Sequence, residues 1–190
     1  MKDIVQYKLN DMGEDNNLDN KIVDKMIRQV ETLSNKYRKL LVVRIDLRVP
    51  DDVWLNDSKL IDKLLKNIRK TKFKDHLLGY FWVLERERKK KGHYHMVFFF
   101  NGQKRKSEWA AQDIIERCWQ RAVNGGTIHR TEGDGTGLLL HHDHKKRADT
   151  IYALSYLCKK RGKIRLEKGQ RLYGFSRLPK LPIKPRQIAA

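Results

Sequence analysis

The sequence is short of cysteine, proline, acidic residues and long apolar runs, and each shortage narrows what the protein can be. Cys118 and Cys158 are the only cysteines among 190 residues. They stand far apart, form no metal-spaced pair and build no disulfide framework, which fits a reducing cytoplasm. Three of the four prolines fall in the closing LPKLPIKP, so that tail is expected to be extended and able to lie along a surface. No charge-poor stretch approaches the roughly 20 residues a bilayer span needs. The opening MKDIVQYKLNDMGEDNN has no apolar signal core, so neither secretion nor membrane insertion is expected. The acids number 23 against 42 Lys and Arg, leaving a formal charge of +19. That excess favours a polyanionic partner, and nucleic acid leads because four Trp, seven Tyr and six Phe offer stacking surfaces.

What is present reads as one folded domain with a real core, since 39% of the residues are hydrophobic. From the N-cap candidate Asp19, Ile22, Met26, Val30, Leu33 and Tyr37 recur at helical spacing. LLVVRIDLRV then alternates: Leu41, Val43, Ile45, Leu47 and Val49 point one way, and Arg44, Asp46 and Arg48 the other. The expectation is a strand with one buried and one charged face. A second helix follows Asp57 or Ser58. YFWVLERE and HYHMVFFF predict a hairpin across the basic RKKKG, and a third helix starts near Ser107. The Gly-rich stretch 124–137 predicts a loop with a short strand at TIHR. LLLHH predicts another strand, residues 149–161 a helix, and RLYGFSR a last strand. The fold class is therefore α+β, an antiparallel sheet flanked by helices.

Two constellations carry chemistry. His93 and His95 sit at i and i+2 of a strand, so their imidazoles share a face and can reach one ion. The hairpin brings up a neighbour carrying Phe81, Val83, Glu85 and Glu87 on the matching face, and alternation alone does not choose between the two acids. Two histidines and a carboxylate leave coordination positions open for a substrate oxygen. His141, His142 and His144 lie in a charged run after a strand and are expected to form a solvated turn.

The second constellation is IYALSYLCKKR. Tyr152, Tyr156 and Lys159 fall at i, i+4 and i+7, within an arc of roughly 60° on a helix. Ile151, Ala153, Leu154, Leu157 and Cys158 occupy the opposite side. A phenol with a reference pKa near ~10 is a poor nucleophile unless its anion is stabilised, and a neighbouring ammonium can do that.

An HxH strand followed by YxxxYxxK resembles the HUH endonuclease superfamily. More closely, LVVRIDLRV, FWVLERE with GHYHMVFFFNG, IYALSYLCK and RLYGFSR resemble the replication-initiation proteins of filamentous phages and their prophage relatives. The resemblance spans about Leu41 to Arg177 and implies an HUH-type, RRM-like palm. It implies His93, His95 and Glu85 as metal ligands, Tyr156 and Tyr152 as nucleophiles, and Lys159 as their catalytic partner. Asp46 matches an acid that braces the site, and Ser176 with Arg177 matches a phosphate contact. Arg44 and Arg48, on the charged face of the first strand, are further DNA-binding candidates. The implied domain plan is an N-terminal tail and accessory helix over 1–38, an endonuclease domain over 39–177 and a basic tail over 178–190.

The expected reaction is cleavage of single-stranded DNA, or of an origin hairpin, in a bacterial host cell. A 5′-phosphotyrosine and a free 3′-hydroxyl would form and start rolling-circle replication, with host replication proteins as further partners. Trp82 and Trp109 are candidate base platforms. The family's ions are Mg²⁺ and Mn²⁺; imidazole ligands suit transition metals, and Mn²⁺ satisfies both considerations. The alternative is a regulator that keeps the HUH fold and binds nucleic acid without cutting it.

Overall fold

Helical periodicity and strand alternation both persist in the computed structural model, which describes residues 7–13, 17–50, 58–85, 92–131, 133, 135–160 and 171–179. The order is α1 (Asn20–Lys36), β1 (Lys39–Arg48), α2 (Lys59–Arg69), β2 (Leu77–Glu85), β3 (His93–Asn101) and α3 (Glu108–Ala122). It continues with β4 (Thr127–Arg130), β5 (Gly137–Leu140), α4 (His144–Ser155), a single 3₁₀ turn (Tyr156–Cys158) and β6 (Tyr173–Phe175). Asp19 and Ser107 cap α1 and α3 as their spacing predicts, each accepting backbone N–H groups of the first turn.

Every strand pair is antiparallel. The order across the sheet is β4-β1-β3-β2-β6, and β5 lies against the same edge of β1 as β4. Thus β4 pairs with Ile45–Arg48 and β5 with Lys39–Val42. The registers place His95 between Asp46 and Val83, and His93 between Arg48 and Glu85. Directly opposed side chains stand about 5 Å apart at Cβ, so strand pairing alone assembles this group.

The charged-face expectation for β1 needs correcting, because both faces are buried along most of the strand. Leu41, Val43, Ile45 and Leu47 join Trp82, Leu84, Tyr94, Met96, Phe98 and Phe100 under α2 and α3. Leu40 and Val42, in phase with Arg44 and Asp46, are equally buried with Phe81, Val83, Val97 and Phe99. Their cover comes from Ile22, Met26, Val30 and Leu33 of α1 and from Ile151 and Leu154 of α4. Only the end holding Arg44, Asp46 and Arg48 is polar, because the helices' apolar side chains do not extend over it. Trp82 is likewise no base platform. It is 4% exposed and packs edge-on against Tyr94 in the core.

The last helix is also displaced from its expected position over 149–161. Asp143, not Asp149, caps α4, its carboxylate accepting the Lys146 N–H at 2.8 Å. α4 gives way to the 3₁₀ turn after Ser155, and the N-terminal segment is bonded to the end of that turn and the residues just past it. Asp19 N donates to the Cys158 carbonyl at 2.8 Å and Lys160 N to the Asn17 carbonyl at 2.6 Å, and Leu18 bridges Lys159. Tyr156 therefore sits in the 3₁₀ turn, beyond the α-helix that carries Tyr152. Glu87, the connection 86–91 and residues 180–190 of the Pro-containing tail lie outside the described residues.

Candidate functional site

The polar end of the sheet holds a continuous chain of contacts from three strands and the 3₁₀ turn. His95 is its centre. Its Nδ1 lies 2.6 Å from Asp46 Oδ1, and its Nε2 lies 2.7 Å from Glu85 Oε2 and 3.2 Å from His93 Nε2. Glu85 turns its other oxygen to Lys159 Nζ at 3.1 Å, and the same ammonium donates to the Tyr156 hydroxyl at 3.0 Å. The Arg44 guanidinium lies 6.0 Å from the centre of the Tyr156 ring, while its Nε is 4.0 Å from Asp46. Asp46, Glu85, His95 and Lys159 are all buried.

Burial alone would push both carboxyls up and both cations down, and the pairing overrides it in every case. For Glu85, the His95 and Lys159 contacts outweigh desolvation and bring the carboxyl down to about 2. Asp46 is also lowered against its burial, chiefly by the hydrogen bond and charge of His95. His95 is raised, because two carboxylates outweigh the desolvation of its imidazolium. Lys159 is raised against its burial by Tyr156 and Glu85. These are four mutually compensated charges in a region of low dielectric, where leaving any one unpaired is costly.

Such a donor set fits a divalent cation. Ligand atoms of Asp46, His93 and His95 all lie within 4.8 Å of one another, and this buried group could hold a metal ion. The facing imidazole nitrogens, 3.2 Å apart, match the ~3 Å expected of neighbouring ligands each about 2.1 Å from one ion. Asp46 faces Nδ1 of His95, however, while His93 and Glu85 face its Nε2. One ring cannot turn both nitrogens to the same ion. An ion on the Nε2 side would meet His93, His95 and Glu85, leaving Asp46 to orient the ring from behind, as carboxylates commonly do behind metal-bound histidines.

The other expected residues lie outside this chain of described contacts. Tyr152 is exposed on α4, with Lys8 lying 5.7 Å from its ring centre. Arg48 is exposed, directly opposite His93 in the register. Ser176 is at the far end of β2, where its hydroxyl accepts from Gln29 Nε2 at 2.8 Å and from the Tyr80 N–H at 3.0 Å. It stands about 17 Å along the strand from Glu85 and is engaged in holding β6 against α1 and β2. Arg177, next to it, is exposed.

His129 joins the site without having been singled out by the sequence. It lies opposite Asp46 in β4, with Nδ1 4.0 Å from Asp46 Oδ2 and more than half its side chain exposed. Alternation in TIHR places it opposite Ile128, but nothing in the spacing says that β4 pairs with β1. Trp109 remains an exposed aromatic, with the Arg130 guanidinium 5.4 Å from its ring centre.

An antiparallel sheet that presents two histidines and two carboxylates beside a lysine-bound tyrosine defines an α+β protein with a candidate metal centre. The chain belongs to the YagK/YfjJ C-terminal domain family, a prophage-related family whose model matches residues 2–176. No curated protein and no solved structure matches it. Among the described residues no helix is long and apolar enough to cross a membrane.

Proposed function

We propose that the protein is a metal-dependent nickase and strand transferase for single-stranded DNA, acting through Tyr156 in the manner of the HUH endonucleases its motifs resemble. One observation carries this reading: the Tyr156 hydroxyl, Lys159 and Glu85 form an unbroken line into the paired histidines. A core tyrosine would have no need of that line, and a purely structural metal site would leave it unexplained.

Glu85, His93 and His95 would hold a divalent ion, with Asp46 fixing the His95 ring. Bound there, Mn²⁺ or Mg²⁺ supplies Lewis-acid polarisation of a phosphate oxygen. Lys159 stabilises the phenolate as the Tyr156 hydroxyl loses its proton to solvent. The phenolic oxygen attacks phosphorus in line, the new P–O bond replaces the bond to the 3′-oxygen, and that oxygen takes a proton from solvent as it leaves as a free 3′-hydroxyl. Phosphodiester bonds are conserved, so a 3′-hydroxyl can reverse the step and rejoin the strand. Arg44 adds positive charge beside the ring. Initiation of rolling-circle replication is the use such chemistry would serve in a prophage-related protein.

The test is covalent capture. End-labelled single-stranded DNA with Mn²⁺ should yield a protein–DNA adduct on a denaturing gel. The adduct should disappear in Tyr156→Phe and persist in Tyr152→Phe. Retention in Tyr156→Phe would reassign the nucleophile, and no adduct across a pool of random-sequence strands would favour the non-cutting regulator.

A further inference from the structure

Away from the metal centre, the opposite end of β1 opens into a cleft of about 460 Å³ lined by Arg38, Lys39, Gln103, Leu140, His141 and His142. Its walls come from three distant stretches of sequence. The Gly102 N–H donates to the Lys39 carbonyl at 2.9 Å, and the His141 N–H to the Arg38 carbonyl at 3.1 Å. A Cβ on Gly102 would come within 3.0 Å of the backbone carbons of Lys39 and Leu40, so only glycine lets that wall approach so closely. Arg147 donates to the His141 carbonyl from below, and the two imidazoles stand edge-to-face, 5.2 Å between centres. His141 and His142 are exposed in a turn after β5, as expected, and these bonds fix that turn to the start of β1.

Its chemistry is one-sided. Among the described residues no carboxylate lines it, whereas Arg38, Lys39, His141 and His142 do, around a wall that is itself mostly apolar. Two further basic runs adjoin the walls in sequence, Lys104–Arg105–Lys106 and Lys145–Lys146–Arg147. In a chain of formal charge +19, all three segments carry basic residues next to the cleft in sequence, although Lys145 pairs with Asp149 and Arg147 is turned to the His141 carbonyl. Lys39 precedes Asp46 by seven positions on β1, which sets the cleft about 23 Å from the metal centre. At ~3.4 Å per base-pair step, that is on the order of seven steps of duplex.

We propose that this cleft is a second anchoring site for the phosphate backbone of the substrate DNA, holding the arm that flanks the cleaved strand roughly seven steps away. The proposal rests on the nuclease reading for the path of the DNA, but binding can be read without cutting. Two fluorescein-labelled probes serve, in EDTA: a single strand of about six nucleotides, and the same strand extended by a hairpin of about twelve base pairs. The variant carries Arg38→Gln, Lys39→Gln, His141→Gln and His142→Gln. The control carries Lys63→Gln and Lys66→Gln on α2. Circular dichroism checks that both are folded.

The cleft variant should bind the long probe about tenfold more weakly, with its salt slope shallower by roughly 2, and bind the short probe as the parent does. The control should change either affinity by less than about twofold. Equal losses in the two variants, or equal losses on the two probes, would overturn the proposal. A failure to form the Tyr156 adduct would leave this binding result standing, so the two readings fail separately.

Discussion

The Lys159 ammonium stands 3.1 Å from the Glu85 carboxylate, and this contact ties the tyrosine turn to the strand that faces His93. Because the ammonium also donates to the Tyr156 hydroxyl, it links the candidate metal centre to that tyrosine. Lys159→Met keeps much of the apolar stem and removes the charge. It should lower the rate of adduct formation about 10²-fold, and shift the rate's dependence on pH upward as the phenolate loses its partner. Single-turnover rates across pH measure both effects. An unchanged pH profile with a merely slower rate would mean that Lys159 only supports the turn.

The charge cluster has a defined signature in the metal-free protein. His95 has a raised folded pKa, so its contribution is complete below the unfolded value near ~6.5 and is lost as pH climbs through the higher folded one. Glu85 and Asp46 run the opposite way. Their contributions are complete above the ordinary carboxylate range and are lost as pH falls, for Glu85 toward about 2. The site therefore stabilises the metal-free fold most between pH ~4.5 and ~6.5. Denaturant midpoints should decline on either side of that window, and in Asp46→Asn the decline above it should flatten.

A bound ion must compete with the proton on His95. The rise in Tm produced by Mn²⁺ should therefore grow as pH increases above the imidazole range and be nearly absent at pH ~5. Thermal melts with and without Mn²⁺ at several pH values check it. A Tm increment independent of pH would place the ion away from His95. In Glu85→Gln the increment should shrink, since an amide is a weaker oxygen ligand than a carboxylate.

The N-terminal segment contributes to the placement of the tyrosine turn. Asp19 accepts the Lys21 and Ile22 N–H groups through its side chain, while its own N–H donates to Cys158. Asp19→Ala should cost about 1 kcal/mol through the lost cap. That corresponds to roughly 2–4 °C in Tm for a chain of this size. It should also slow any Tyr156 chemistry more than an equally destabilising substitution in the remote core, such as Ile68→Val on the buried face of α2.

Gly135 tests how the loop leading into β5 packs against α4. It has φ +91°, and a Cβ there would collide with the Ala153 Cβ. Gly135→Ala should destabilise the fold by about 1–3 kcal/mol. Adding Ala153→Gly should recover only the part due to the collision, leaving the backbone strain and a small helix penalty. A double-mutant cycle on denaturant midpoints separates the two.

The parts of the fold legible in sequence were those set by local period. The capped stripe Ile22, Met26, Val30, Leu33 and the alternation of HYHMVFFF each describe their own element. The His93/His95 pair was legible for the same reason, since i and i+2 on a strand share a face whatever lies beside it. What was hidden depends on neighbours. Val42 is buried only because α1 and α4 lie over it, and Trp82 because α2 and α3 cover the other face. His129 reaches Asp46 only through the β1–β4 register. The chain's path after α4 was illegible because segment 17–19, more than a hundred residues earlier, bonds to Cys158, Lys159 and Lys160 there.

The opposed pairs Asp46–His95 and Glu85–His93 carry one last implication, for how this family can change over generations. Conservative substitutions at the apolar positions of β1, β2 and β3 can be absorbed one at a time, but a single-residue deletion between Leu41 and Asp46 would send the aspartate to the far side of the sheet. Insertions and deletions that survive should therefore be confined to the connections between strands. Among relatives that keep the histidine pair, the count of residues from Leu41 to Arg48, from Phe81 to Glu85 and from His93 to Phe99 should be invariant, even where little identity remains.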